Sequence, residues 1–426
     1  MSDDARAIVV GAGLAGLAAA AALREVLGEV VLLERDPPAE AAPRHGTPQR
    51  EQLHNLLYAA QQSLDRLLPG FCRRLRQAGA GEAKVAVETQ VFELGERMPA
   101  RDLGMRLMCA PRPLIERVAR ELLLEGGSVR VLDGARAVGL EVTGGKLLGA
   151  VVETGVGRRT LRAPIVIDAS GARGSGRRWL REVGFEEPKA TTLRVARWYA
   201  SAEFERPSGA REEDRFWLVF PTHPTQRGGL VSPSAPRRWH VSLSGGFADP
   251  APTSAAEMRT FAETLEVPWI ADLLRDTRAL GAPHVFRKPW AVWRHYEQLP
   301  HPLPGFLPVG DAVAALNPLF GQGMSVAAAQ AVALADLFGG PGSEHELDRL
   351  TTAHHERVAA IVQSAWALGE MVDSPLPDGG VAGGPAALAR RLRDSPELHR
   401  RYVAMWHLVE PAASVRSALE MQEALL

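Results

Sequence analysis

The chain of 426 residues holds only two cysteines, Cys72 and Cys109, too few for a disulfide framework or a thiolate metal cluster. Such scarcity suits a reducing, cytoplasmic setting. An excess of charge is also missing: 49 basic against 50 acidic residues leave a formal net charge of −1, so no global basic field exists to hold nucleic acid. Arg-rich spots such as Arg73, Arg74 and Arg76 read as solvated helix faces. No H-E-x-x-H and no close-spaced Cys/His set is present, so no metal site is expected. Internal repeats are absent too. With 46% hydrophobic and 23% charged residues the composition is that of an ordinary globular protein, long enough for two or three lobes.

Long apolar runs are equally scarce. One stretch, Ala7 to Leu23, is uncharged and could pass for a signal peptide or a membrane span. It carries three glycines, follows Asp3 and Asp4 instead of a basic segment, and sits at the short limit for a bilayer. No membrane span is therefore expected, and the chain reads as soluble.

What that stretch does contain organises the rest. A short apolar strand (7–10) runs into Gly11, Gly13 and Gly16, a helix follows, and a second strand (30–33) ends on Glu34 and Arg35. Gly11 permits a tight turn, Gly13 admits a pyrophosphate to the backbone, and Gly16 lets helix and strand pack closely. The helix start offers free N–H groups and partial positive charge to phosphate. Glu34 lies about twenty residues on, where an acid accepts from a ribose hydroxyl. Strand, glycines, helix, strand and acid in that order point to a dinucleotide site.

Downstream, a Pro- and Ala-rich loop precedes R-H-G-T-P-Q at Arg44, in which His45 has no visible partner. Leucines at helical spacing predict an amphipathic helix over 52–68, with His54 on it as a hydrogen-bonded structural histidine in preference to a role near the cofactor. Strands are expected at 85–94, then, after a helix opened by Arg112, at 129–132, 137–143 and 147–154 as a meander turning at Gly144-Gly145. A buried strand at 163–167 ends in D-A-S-G at Asp168. From 191 to 289 the texture becomes alternating and aromatic, predicting an antiparallel sheet whose greasy face (Trp198, Trp217, Phe220, Trp239) walls an apolar substrate. A strand at 306–309 leads into G-D-A-V-A-A-L-N-P-L-F-G-Q-G-M-S. Helices are expected at 324–338, 344–371 and 386–425, the last two joined by a Gly/Pro linker.

That G-D…N-P-L-F-G-Q-G segment, Gly310–Ser325, together with the N-terminal fingerprint, resembles the FAD-dependent aromatic hydroxylase superfamily (p-hydroxybenzoate hydroxylase-like) nearly end to end. R-P-L-I-E at Arg112, D-A-S-G and W-R-H-Y-E at Trp293 fall in the expected order. D-A-S-G and the loop at 46–57 look more like a branch with polyether-type flavin epoxidases and natural-product oxygenases.

The resemblance implies an α/β fold: a Rossmann-like FAD-binding domain (1–80, 111–190, 291–340), an inserted antiparallel-sheet substrate lobe (81–110, 191–290) and a C-terminal helical region (341–426). It implies cofactor contacts from Gly11, Gly13, Gly16, Glu34, Arg35, Arg112, Asp168, Gly310, Asp311, Pro318, Gly321, Gln322, Gly323 and Met324. Asp311 would bond the ribityl chain, and 317–323 would pass the isoalloxazine and present a helix start to its pyrimidine edge. Phe320, Trp293 and Tyr296 join the expected substrate wall.

The implied activity is a monooxygenase that uses FAD and O2 to hydroxylate or epoxidise an apolar, electron-rich molecule of secondary metabolism, via a flavin C4a-hydroperoxide shielded from water. Reducing equivalents come from NAD(P)H directly or through a separate flavin reductase. Ser170-Gly171, where direct NADPH users carry Asp-Gly, favours the reductase, and Glu51-Gln52 replaces an Arg-His pair of the related branch. No catalytic acid or base, substrate identity or oligomeric state is legible. The alternatives are a prenyl reductase of the geranylgeranyl type, a halogenase, whose W-x-W-x-I-P signature is missing, and a flavin-binding accessory protein without turnover.

Overall fold

A computed structural model describes residues 6–37, 53–206, 216–221, 225–235, 237–339, 346–373, 384–415 and 417. Its foundation is a five-stranded parallel sheet in the order Phe306–Pro308, Ile165–Asp168, Ala7–Val10, Val30–Glu34, Val129–Asp133. The three middle strands are buried along their whole length, as expected of a parallel sheet covered on both faces, and this is why they read as unbroken apolar runs. One face packs on the helices Leu14–Leu27, Arg112–Glu125 and Gly323–Phe338. The other packs on Trp179, Tyr296, Val362 and Trp366 and on a three-stranded meander, Arg136–Thr143, Lys146–Thr154 and Gly157–Arg162.

The region expected to be the inserted lobe contributes to an eight-stranded sheet: Ala314–Ala315, His284–Arg294, Ala190–Glu205, Arg238–Gly246, Gly228–Ala235, Phe216–Val219, Thr89–Glu93 and Glu96–Arg97. All its pairings are antiparallel except that of Phe216–Val219 with Thr89–Glu93. The helices Ala255–Ala262 and Trp269–Arg275 close its back over a core of Trp198, Phe204, Trp239, Val241 and Leu243. The mixed α/β architecture with extra antiparallel sheets and C-terminal helices is the expected class.

Some elements differ from expectation. Within 52–68 the chain forms a strand, Leu53–Leu56, before the helix Tyr58–Leu67 begins. Leu53–Leu56 pairs antiparallel with Arg106–Pro111, and that long-range ladder overrides the helical spacing. The segment at 85–94 is a turn followed by Thr89–Glu93. Val129–Asp133 joins the parallel sheet beside Val30–Glu34 instead of the meander. Among the described residues the C-terminal stretch is broken into separate helices, among them Gly384–Asp394 and Pro396–Trp406, the latter started by Ser395, whose hydroxyl accepts from the Leu398 N–H. Arg44, His45, Glu51-Gln52, most of the Gly/Pro linker and the end of the chain lie outside the described residues. Among the described residues no helix is long and apolar enough to cross a membrane.

Candidate functional site

A cavity of about 380 Å3 lies between the parallel sheet and the large sheet. Gly13, Leu14 and Ala15 line it from the first helix, and Gly310, Asp311 and Asn317 to Gly321, Gly323 and Met324 line it from the segment 310–324. These two stretches, some three hundred residues apart in sequence, meet in space. A Cβ on Gly310 would stand 2.8 Å from the Ala15 Cβ, and Gly310 has φ +62. Its N–H donates to Gln330 Oε1 at 2.6 Å, which fixes the turn from beneath.

The glycine turn is built as its spacing demands. Gly11 has φ +102, and a Cβ there would sit 2.6 Å from the Ala169 carbonyl oxygen. On Gly16 a Cβ would come within 1.8 Å of the Gly11 carbonyl oxygen, so only glycine lets the helix close on the strand. The helix Leu14–Leu27 starts with no side-chain cap and no acid in its first turn, leaving its N–H groups to the cavity. The helix Gly323–Phe338 starts the same way, so two positive helix ends face one space. Arg112 adds a cation there: its Nη2 would lie 3.5 Å from a Cβ on Gly13, and its Nε donates to Glu116 Oε1 at 2.8 Å. An anionic, elongated ligand such as a dinucleotide matches these features.

Other expected cofactor residues stand elsewhere. Glu34 is buried at the strand end, where its carboxylate accepts from Ala12 N–H and Asp36 N–H, each at 3.1 Å, and neither it nor half-exposed Arg35 lines the cavity. Asp168 is fully buried and turned into its own loop, accepting from Ser170 N–H and Gly176 N–H, both at 3.0 Å. Burial raises its carboxyl above the usual range, opposed by those hydrogen bonds. The neighbours Ala169 and Gly171 face the cavity instead. Arg294 ties this loop to the second segment, donating to Ala172 O (2.7 Å), Asp311 O (3.1 Å) and Ala312 O (3.2 Å). Gln322 is buried, does not line the cavity, and donates through Nε2 to Trp406 O at 3.1 Å.

The apolar half of the cavity is walled by Tyr199, Phe216, Leu218, Leu230 and Phe286 from the large sheet, with Phe320 at its edge. Of the seven aromatics expected there, Phe320 is the one that lines it. Trp198 and Trp239 are buried behind the sheet, where Trp217 packs against them. Phe220 stands behind Phe320 and Trp406, with centroids 5.8 and 5.0 Å away. Trp293 stacks near Trp366, and Tyr296 packs on Phe306 and His355, both in the core beneath the parallel sheet. Strand alternation explains the large-sheet positions: Trp198 and Tyr199 point to opposite faces, and the helices behind the sheet cover the tryptophan side.

Several lining residues are not among the expected site residues, although for His54 a role near the cofactor stands as the second reading. His54 borders the cavity from Leu53–Leu56, and Lys288 borders it from His284–Arg294. Burial lowers the Lys288 ammonium, opposed by the Asp311 carboxylate. The helix Pro396–Trp406 contributes His399, Tyr402, Val403 and Trp406, and Glu93 reaches the cavity from Thr89–Glu93. Asn317 Oδ1 accepts from both Tyr199 OH (3.1 Å) and Leu319 N–H (3.0 Å), tying the segment 317–323 to the large sheet.

A family model described as FAD binding domain matches residues 4–365. Protein Rv3254 of Mycobacterium tuberculosis (strain ATCC 25618 / H37Rv) is 28% identical over 339 residues, covering 76% of this chain and 71% of that protein. Among solved structures, the flavin-dependent brominase Bmp2 shares the fold at TM-score 0.70 and 15% identity, covering 99% of this chain and 100% of that one. The tetrameric form of 2-methyl-3-hydroxypyridine-5-carboxylic acid oxygenase does so at TM-score 0.64 and 19% identity, covering 92% and 97%. A variant of PqsL from P. aeruginosa gives 0.62 and 16%, covering 95% and 99%. At these identities the likeness is one of fold.

Proposed function

The chain belongs to the FAD-binding domain family, a flavoprotein of the oxidoreductase class, and from that premise we propose that it is a monooxygenase acting on an apolar, electron-rich small molecule by hydroxylation or epoxidation. What supports this reading is the continuity of one cavity, from the dinucleotide turn at Gly13–Ala15, past Asn317–Met324, to the apolar wall of Tyr199, Phe216 and Phe286.

FAD, bound and reduced, supplies the activation of O2 and the transfer of one oxygen atom. The protein does the rest. Arg112 and the open start of Leu14–Leu27 would hold the pyrophosphate, and Asp311 would accept from the ribityl hydroxyls. The start of Gly323–Phe338 directs positive potential at the ring end, where negative charge is to be stabilised. Asn317, clamped by Tyr199, fixes that segment against the substrate sheet. Phe216, Leu218, Phe286 and Phe320 keep water from the reacting face. Ser170-Gly171 supports reduction through a separate flavin reductase in preference to direct use of NADPH.

The test is to load the protein with FAD, reduce it, and admit O2 with panels of arenes and alkenes. A product sixteen mass units heavier is expected. A product two units heavier formed without O2 would assign the chain to the prenyl reductases, and peroxide with every compound would remove the oxygenase reading.

A further inference from the structure

Among the described residues, the apolar end of the cavity contains one carboxylate. Glu93 closes the strand Thr89–Glu93 with 7% of its surface exposed, and it faces the cavity. Its Oε1 accepts from Tyr402 OH at 2.6 Å. No cation among the described residues is paired with it. The basic residues nearest in sequence are engaged elsewhere: Arg97 lies over the Trp269 ring at 5.7 Å, and Arg101 donates to Leu392 O (2.8 Å) and Arg393 O. A buried carboxylate facing a cavity without a counter-charge is costly unless it is protonated or meets a cation. Desolvation accordingly pushes the Glu93 carboxyl up to about 7, opposed by the Tyr402 hydrogen bond.

Around it stand aromatic rings. Tyr402 and Trp406 lie 6.2 Å apart, Trp406 and Phe320 lie 5.0 Å apart, and all three line the cavity. One turn before Tyr402, His399 is 1% exposed, borders the same cavity, and leaves its Nδ1 buried with no hydrogen-bond partner. Burial and then the Arg101 charge lower its imidazole to about 4, so it stays neutral with a lone pair to offer. A carboxylate, a neutral imidazole and aromatic faces in one apolar recess are the acceptors that an ammonium group uses.

We propose that the end of the cavity formed by Glu93, His399, Tyr402 and Trp406 binds a protonated amine on the substrate, so that the substrate class is an apolar, unsaturated body carrying a basic nitrogen. This rests on the monooxygenase reading only for the word substrate; the amine subsite itself stands on the cavity. Glu93 is then a specificity-determining residue that anchors the far end of the molecule while its apolar part lies along Phe320 toward the ring segment.

The experiment uses the oxidised, FAD-loaded protein without reductant, so its outcome is separate from that of the turnover assay. Binding of 3-phenylpropylamine and of 3-phenylpropan-1-ol is read by the flavin absorbance change and by calorimetry. The amine is expected to bind at least tenfold tighter than the alcohol. Glu93→Gln should bring the two to within a factor of about two while FAD content is retained. Glu93→Leu, which also removes the carboxylate, should likewise erase the preference for the amine and serves if Glu93→Gln does not fold. Equal binding of the two probes, binding of neither, or an amine preference that survives Glu93→Gln would overturn the proposal.

Discussion

Gly310→Ala probes the place where the segments 13–15 and 310–324 touch. A Cβ at residue 310 would meet the Ala15 Cβ at 2.8 Å on a backbone with φ +62, so it is both crowded and in a left-handed conformation. The left-handed conformation costs about 1–2 kcal/mol for a residue with a Cβ. Overpacking between two fixed elements adds about 1–3 kcal/mol. The sum, about 2–5 kcal/mol, is within the stability of a typical domain, so the variant should fold but unfold at lower denaturant. If the strain is relieved by pushing the first helix from the ring segment, FAD affinity should fall at least tenfold. Denaturant midpoints and fluorescence titration of the apoprotein with FAD measure the two effects. Gly281→Ala is the control, since its Cβ would meet nothing within 4 Å. A Gly310→Ala protein with unchanged midpoint and unchanged FAD affinity would refute the claim that these segments are held in contact to form one site.

Asp311→Ala and Arg112→Ala should each weaken FAD about tenfold or more, the usual scale for losing a charged hydrogen-bonding group, as read by the same titration. Arg112→Ala should be the worse of the two, because it also breaks the ion pair with buried Glu116. Glu93 carries a pH signature: its carboxyl lies near 7 when folded against 4.5 for an ordinary glutamate, so folding favours the protonated form. Its contribution is present below pH 4.5 and is lost as pH rises through about 7, a change of about 3 kcal/mol. Glu93→Gln should therefore gain stability relative to the parent at pH 8 and not at pH 4.5, which paired denaturation curves would show. The buried His354, lowered to about 4 by desolvation against its hydrogen bond to Pro308 O (2.9 Å), has the opposite sign. Its contribution is complete above pH 6.5 and is lost as pH falls toward 4, and His354→Gln should flatten that acid limb.

The two glycine segments were legible because each is local. A strand, a turn that excludes Cβ and an uncapped helix are encoded within about twenty residues, and the geometric need for glycine at Gly11, Gly16 and Gly310 leaves a direct mark. The substrate wall was not, because both faces of the large sheet are apolar: one meets the cavity and the other meets the helices Ala255–Ala262 and Trp269–Arg275. With period-two alternation, choosing Trp198 over Tyr199 or Trp217 over Phe216 is a choice of face, and nothing within a strand decides it. Size misled as well, since the largest rings fill the core behind the sheet. Asp168 occupies a position where an acid could meet a cofactor, yet its two oxygens are taken by the N–H groups of Ser170 and Gly176. Glu93 and Tyr402 come from elements 309 residues apart, and only the tertiary fold joins them.

A structure of the FAD complex examines the central claim most directly. One extended FAD is expected, with its pyrophosphate at Gly13 and Arg112, its ribityl chain at Asp311 and its ring against Asn317–Gly323, facing Tyr199 and Phe286. A flavin whose ring lay away from Asn317–Gly323, or whose pyrophosphate avoided the start of Leu14–Leu27, would contradict it.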